Sequence, residues 1–94
     1  MAVGTVELHL PDVGSLKGKR HVLKGLKEKV RQRFEVSVAE VDHHDTWQRA
    51  ALTLACVTRQ ASDAERLLDE AERWLHGQPF ELFGRHRELI APEA

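Results

Sequence analysis

The chain has 94 residues, enough for a single domain over residues 1–94, and its net charge of −1 argues against indiscriminate nucleic-acid binding. No apolar run approaches the roughly 20 residues that a membrane-spanning helix needs. The single cysteine, Cys56, cannot form an internal disulfide, and no secretory signal is visible, so we expect a cytoplasmic protein.

The first predicted elements are a strand and a helix. Residues from Val3 to Leu10 alternate between apolar and polar, which predicts a half-buried strand. Ser15 is a suitable N-cap for the helix that follows. Apolar residues then recur on one side of a helical wheel, and they are Leu16, Val22, Leu23, Leu26, Val30 and Phe34.

Two strands and a turn occupy the middle of the chain. The segment from Glu35 to Val41 is β-branched and alternating, which predicts the second strand. Residues 42–45 form a polar turn, and Trp47 to Val57 is the third strand. Cys56 falls in the apolar register of that strand, so we expect an inert core thiol.

A second helix and a fourth strand complete the order. Ser62 and Glu65 have the spacing of a capping box at the helix start. Gly77 ends this helix and Pro79 prevents its continuation. A last strand runs over 80–90, with a short tail at 92–94. The order predicts an α+β, ferredoxin-like β-α-β-β-α-β fold, with a four-stranded antiparallel sheet and both helices on one face.

Three segments carry a family resemblance. They are Ser15-Leu16-Lys17 with Lys19-Arg20, the run Phe34-Glu35-Val36-Ser37-Val38-Ala39-Glu40-Val41-Asp42-His43, and Asp45 with Trp47-Gln48-Arg49-Ala50. Together they resemble the bacterial YlxP-like family of small proteins, which is classed as a domain of unknown function. The resemblance implies a ferredoxin-like homodimer, often encoded among translation and ribosome-maturation factors. It implies no catalytic mechanism.

Several functions of this fold lack their residues here. RNA-recognition domains stack bases on aromatic residues at the centres of strands one and three. The first loop, 11–15, has neither the cysteines of a metal chaperone nor an arginine among several glycines for phosphate, and no nucleotide P-loop is present. We therefore expect no catalytic residues, metal or cofactor. The base-stacking surface of an RNA-recognition domain is also missing, because the outward positions of the first and third strands contain no aromatic residue. These positions are Thr5, Glu7, His9, Ala51, Thr53 and Ala55.

The turn between the second and third strands leaves alternatives open. His43 and His44, with the aspartates beside them, are either solvated turn residues or a metal or acid–base site. Adjacent residues in extended backbone point in opposite directions, which disfavours chelation of one ion. Trp47, with Arg49, is a candidate anchor for a partner; otherwise the indole covers the end of the sheet.

The first helix is unusually basic. Residues 15–34 carry eight cations and one acid, a net charge of +7, so the rest of the chain carries −8. On the helical wheel, five cations fall within about 80° beside the apolar face and extend roughly 20 Å. We call this set the basic stripe, and it comprises Lys17, Arg20, Lys24, Lys27 and Arg31.

The second helix has an acidic flank formed by Glu65, Asp69 and Glu72. Tracing the fold places the basic stripe and this flank at opposite outer edges, which predicts a bipolar module. The inner flanks, with Lys29 and Arg33 on one helix and Asp63 and Glu70 on the other, are expected to pair. These four residues lie on the flanks at which the two helices are predicted to meet.

Two functional hypotheses follow. In the first, the basic stripe binds the phosphate backbone of structured RNA or a ribosomal subunit, without sequence specificity and without a cofactor. In the second, the chain is a homodimeric interaction module that covers its open sheet face with a second copy. For the stripe, the alternatives are a solvated surface or a contact with an acidic protein partner, and an enzyme acting through residues 42–45 is the weakest interpretation.

Overall fold

The computed structural model describes residues 1–78 and 80–90. The predicted break at Pro79 and the predicted tail at 92–94 lie outside these residues. In chain order the elements are β1 (Ala2–His9), α1 (Leu16–Arg33), β2 (Ser37–Asp42), β3 (Arg49–Cys56), α2 (Ala61–His76) and β4 (Glu81–Leu89).

The four strands form one antiparallel sheet in the order β2-β3-β1-β4. This order and the β-α-β-β-α-β sequence of elements confirm the predicted ferredoxin-like α+β fold. β1 and β2 run in the same direction on either side of β3, as expected when a helix connects two parallel strands. The edge strands are β2 and β4, and α1 lies over β2.

The core lies between one face of the sheet and the two helices. Every second residue of β1 is buried because successive side chains of a strand point to opposite faces. One contiguous cluster joins that face to α1 and α2, and its fully buried leucines and valines are Val6, Leu8, Val30, Leu52, Leu54, Leu68 and Leu75. Within the described residues, no helix has the length and apolar content to cross a membrane.

The structure moves some predicted boundaries. Ser15 caps α1 as expected, and its hydroxyl accepts a hydrogen bond of 3.0 Å from the Gly18 amide. The capping box is wrong, because α2 begins at Ala61 with Gln60 as N-cap and no side-chain cap bond. Gly77 does follow α2, but with a φ of −79° rather than the left-handed conformation of a glycine C-cap. Trp47 lies in a turn, since β3 begins only at Arg49.

Candidate nucleic-acid interface

The basic stripe lies along the outer flank of α1. Four of its members, Lys17, Arg20, Lys24 and Arg31, are exposed, and Lys27 is half-buried. The buried side of the helix consists of Lys19, Leu23, Leu26 and Val30. A helix turns by about 100° per residue, so the stripe occupies the flank immediately beside this buried side. The stripe is therefore presented to solvent along nearly the whole length of α1.

Contacts at the other flank of α1 settle the direction in which the stripe faces. The guanidinium carbon of Arg33 lies 5.5 Å from the centre of the Trp74 ring on α2, and the rings of Phe34 and Trp74 meet edge to face at 6.4 Å. Arg33 falls on the opposite side of the buried face from the stripe. The stripe consequently faces away from α2, as the tracing of the fold predicted.

The stripe cations are not neutralised within the described part of the chain. No carboxylate oxygen there lies within 4.0 Å of a charged nitrogen of Lys17, Arg20, Lys24, Lys27 or Arg31. The lysines and arginines that do form ion pairs at that distance lie elsewhere, and they are Lys19, Arg49, Arg66, Arg85 and Arg87. The positive potential of α1 is therefore open to a partner.

The acidic flank of α2 differs from the prediction. Glu72 is 5% exposed, and its carboxylate lies 2.6 Å from a guanidinium nitrogen of Arg87 and 3.4 Å from one of Arg85. Asp69 pairs with the same Arg87. The helical wheel could not show this, because both arginines come from β4. The predicted bipolar module is therefore wrong on its acidic side, where cations of the edge strand neutralise two carboxylates.

The predicted pairing between the helices is also wrong for the residues it named. Asp63 pairs instead with Arg66 one turn later in α2, at 3.5 Å. Arg33 stacks on Trp74 rather than approaching a carboxylate. An aromatic contact with a cation above it thus joins the two helices at this point.

Lys19 is a buried residue whose contacts the sequence interpretation missed. It is 2% exposed, and its Nζ lies 2.8 Å from Glu40 Oε2 and 2.8 Å from the carbonyl oxygen of Thr46, and it also donates to the carbonyl of His43. Two carbonyl oxygens thus accept hydrogen bonds from this ammonium, and the Glu40 carboxylate is its counterion. The helical wheel could have indicated this burial, because Lys19 falls on the apolar side of the first helix rather than on the basic stripe.

The turn after β2 is fixed by hydrogen bonds of His43 to Asp42 and to Glu7 of β1. His43 adopts a φ of 62°, its amide donates to Asp42, and its Nε2 donates to Glu7 Oε1 at 3.2 Å. The hydrogen bond from His43, assisted by Arg49 and opposed by partial burial, lowers the pKa of Glu7 below its ordinary value. His43 is thus a half-buried structural residue rather than a solvated one, whereas His44 is exposed as expected.

The two candidate partner residues have different surroundings. Arg49 donates to Glu7 Oε2 at 2.9 Å, and its guanidinium carbon lies 5.0 Å from the centre of the Phe83 ring. Trp47 is 48% exposed in the turn and belongs to no part of the buried core. Arg49 is therefore occupied on the open sheet face, while Trp47 remains presented to solvent.

The open sheet face carries small and polar side chains at its centre. Thr5 and Thr53 hydrogen-bond across β1 and β3 at 2.8 Å, and Ala51, opposite Glu7, is buried. Phe83, an aromatic residue that the strand register did not predict, reaches this face where β4 departs from regular pairing with β1. Exposed apolar side chains gather instead at the far end of the sheet, and they are Met1, Val57, Leu89 and Ile90.

The described residues contain no metal-binding cluster, and their one thiol is buried. Across residues 1–78 and 80–90, no three His, Cys, Asp or Glu side chains are placed to hold a metal ion. Cys56 is 1% exposed, and burial raises the pKa of its thiol, so little of the reactive thiolate is present.

Comparison with known proteins gives the chain a family. Residues 1–83 match the model of the family described as "Protein of unknown function (DUF503)". The chain belongs to the DUF503 family. It is 37% identical over 68 residues to "Uncharacterized protein YlxP" of Bacillus subtilis (strain 168), an alignment covering 72% of this chain and 74% of that protein. The resemblance stated from the sequence is thereby confirmed.

The match to DUF503 covers the parts of the molecule that carry the site. The basic stripe, Lys19 and the turn after β2 all lie within residues 1–83, as do β1, β3 and α2. Neither the description of the family nor the name of the relative states an activity, a ligand or a partner. The function of this DUF503 chain has to be argued from its own geometry and charge.

Proposed function

We propose that this protein is a non-catalytic RNA-binding module that holds the phosphate backbone of structured RNA against α1. The observation that supports the proposal is the basic stripe, whose five cations have no carboxylate partner in the described residues. The acidic flank of the other helix is largely neutralised by β4, so the stripe is not half of an internal charge balance.

The geometry of the stripe favours a polyanion over a single small anion. Its members follow one another at intervals of three and four residues, which places neighbouring cations about 4.5 to 6 Å apart along the helix axis. The row extends roughly 20 Å from Lys17 to Arg31. A nucleic-acid backbone presents phosphates repeatedly over such a length, whereas a small ligand would contact only two or three of these cations.

The proposed mode of binding is independent of sequence. Lysine and arginine contacts to phosphate position a protein on nucleic acid but do not distinguish bases. The open sheet face lacks aromatic side chains at the centres of β1 and β3, so base recognition of the RNA-recognition-domain kind is not expected there. Structured RNA, including that of a ribosomal subunit, is the ligand class that this chemistry fits.

The experiment is co-sedimentation of the purified protein with bacterial ribosomal subunits at two salt concentrations. Duplex binding through about four phosphate contacts should weaken roughly 150-fold for a fourfold rise in salt. The variant Lys24→Glu, Lys27→Glu, Arg31→Glu should lose binding while its helix content by circular dichroism stays unchanged.

A matched control carries the same change in net charge away from the stripe. Arg59, Arg66 and Arg73 are exposed and lie outside α1, so the variant R59E/R66E/R73E should retain binding. Absence of binding by the wild-type protein at low salt would contradict the proposal. Equal losses in both variants would also contradict it, because net charge rather than the stripe would then govern the interaction.

A further inference from the structure

Trp47 is an exposed aromatic residue in a turn that the protein holds rigidly. Its side chain is 48% exposed, although burial of a tryptophan ordinarily stabilises a small domain. The turn around it is fixed by hydrogen bonds from Thr46 N to the His43 carbonyl, at 3.0 Å, and from Leu10 N to the Gln48 carbonyl, at 2.8 Å. The indole is therefore presented from an ordered support.

Lys19 connects this turn to the basic helix. Its buried ammonium binds the carbonyl oxygens of both His43 and Thr46, the residue immediately before Trp47. Lys19 lies in the same N-terminal part of α1 as Lys17 and Arg20, where the basic stripe begins, although its own side chain is on the buried side of the helix. The side chain of a single residue thus holds the turn bearing Trp47 against the N-terminal part of α1, the part in which the stripe begins.

A lysine so deeply buried is rare unless all its N–H groups are satisfied. Here the ammonium donates hydrogen bonds to two main-chain carbonyls of the turn, and the carboxylate of Glu40 on β2 lies 2.8 Å from it as its counterion. Fixing a recognition residue before the ligand arrives reduces the entropy that binding must overcome. The arrangement is consistent with a contact residue held in advance of binding.

Resting on the proposed function, we infer that Trp47 is a base-stacking residue, and that the RNA bound is a duplex with an adjoining unpaired nucleotide. The stripe, which has no aromatic member, follows the phosphates of the paired region. At its N-terminal end the indole stacks on the first base outside the paired region. Every base has a π face, so this contact selects the structure of the RNA and not its sequence.

The test compares two labelled RNA hairpins by fluorescence anisotropy at low salt. One hairpin has a short single-stranded 3′ or 5′ extension, each polarity being measured, and the other has a blunt end. Removal of a base–aromatic stack costs about 1–3 kcal/mol, so Trp47→Ala should weaken binding of an extended hairpin roughly 5- to 150-fold. It should leave binding of the blunt hairpin within about twofold of wild type.

Two further variants distinguish stacking from general effects. Trp47→Phe keeps an aromatic face and should recover most of the affinity for the extended hairpin. Val57→Ala removes an exposed apolar side chain outside this turn, just after β3, and should change neither affinity. Both proteins should show wild-type circular dichroism, because neither side chain belongs to the core cluster.

The outcomes separate this inference from the proposed function. If Trp47→Ala leaves both affinities unchanged while K24E/K27E/R31E abolishes them, the inference is overturned and the function of the stripe stands. An equal loss on blunt and extended hairpins would likewise overturn it. Absence of binding of either hairpin by the wild-type protein would count against the proposed function itself.

Discussion

At the scale of single residues, the most consequential side chain is the buried Lys19. It joins α1 to Glu40 of β2 and to two carbonyl groups of the following turn. Removing one member of a buried pair leaves the other charged and without a partner, which costs more than the pair itself contributes. Lys19 therefore fixes the positions of α1, β2 and the following turn relative to one another.

We expect Lys19→Met to lower the free energy of unfolding by about 3–5 kcal/mol, measured by urea denaturation. The double variant K19M/E40L removes both charges and should recover much of that loss. Lys29→Met, which changes an exposed lysine of the same helix, should have an effect within about 0.5 kcal/mol. A K19M variant as stable as the K29M control would contradict the assigned role.

The second residue-scale prediction concerns pH and Glu7. Its pKa is lowered from the ordinary 4.5, first by the hydrogen bond from His43, so the ionised form is favoured in the folded protein. Such a group stabilises the fold above its unfolded pKa, and this contribution is lost as the pH falls through the lowered value. The network on Glu7 should therefore weaken in acid.

Glu7→Gln should be less stable than wild type near neutral pH, and the difference should shrink as the pH is lowered through about 4.5 and below. Urea unfolding of both proteins across this range measures it. Glu70→Gln, at an exposed position of α2, serves as the control and should follow the wild-type curve. A difference between E7Q and wild type that is independent of pH would refute the assignment.

At the scale of elements, β4 is joined to β1 by the hydrogen bonds of the sheet and to α2 by an ion-pair network. Partial burial opposes the charge of Arg87, but hydrogen bonds to Asp69 and Glu72 outweigh it and raise the pKa of this guanidinium. Glu72 approaches the sheet closely, since a Cβ added at Gly4 would lie 3.4 Å from its Oε1. Arg87 is thus the main counterion of a buried carboxylate.

We predict that Arg87→Leu lowers the free energy of unfolding by about 2–3 kcal/mol, because it leaves Glu72 buried without its closest partner. Arg85→Leu removes a longer pair from a side chain that is 73% exposed, and should cost less than about 0.5 kcal/mol. Chemical denaturation of the two variants gives the comparison. Equal losses would show that the distance and burial of the pairs do not determine their contribution.

The order and type of the elements could be predicted because hydrophobic periodicity carries them. The alternation of apolar and polar residues predicted β1, and the recurrence of apolar residues on one side of the helical wheel predicted α1. Ser15 indicated where that helix begins. The ends of α2 and β3 were less predictable, because several residues there can cap or turn, and tertiary contacts decide among them.

The basic stripe was predictable, but its surroundings were not. A helical wheel contains the rotation of every side chain on one helix, so it placed the five cations correctly. It contains nothing of neighbouring strands, so it could not show Arg87 beside Asp69 and Glu72. Pairs such as His43 with Glu7 join residues far apart in the chain and depend on strand register and turn conformation.

At the scale of the whole molecule, charge is distributed unevenly although its sum is close to zero. Residues 15–34 carry +7 and the remainder −8, a net value that already includes the β4 arginines paired with Asp69 and Glu72. A polyanion approaching α1 therefore meets a concentrated positive surface, while other faces do not attract it. Homodimerisation through the open sheet face remains a separate prediction, and light scattering at micromolar concentration measures it.

The most direct test of the account is the salt dependence of binding to a blunt RNA hairpin. The slope of log affinity against log salt counts the phosphates that the protein neutralises, at about 0.9 for each contact on a duplex. Lys24→Met should reduce the magnitude of the wild-type slope by about one, and Arg66→Met, on α2, should leave it unchanged. A K24M slope equal to that of wild type would contradict the claim that the basic stripe of α1 binds the RNA backbone.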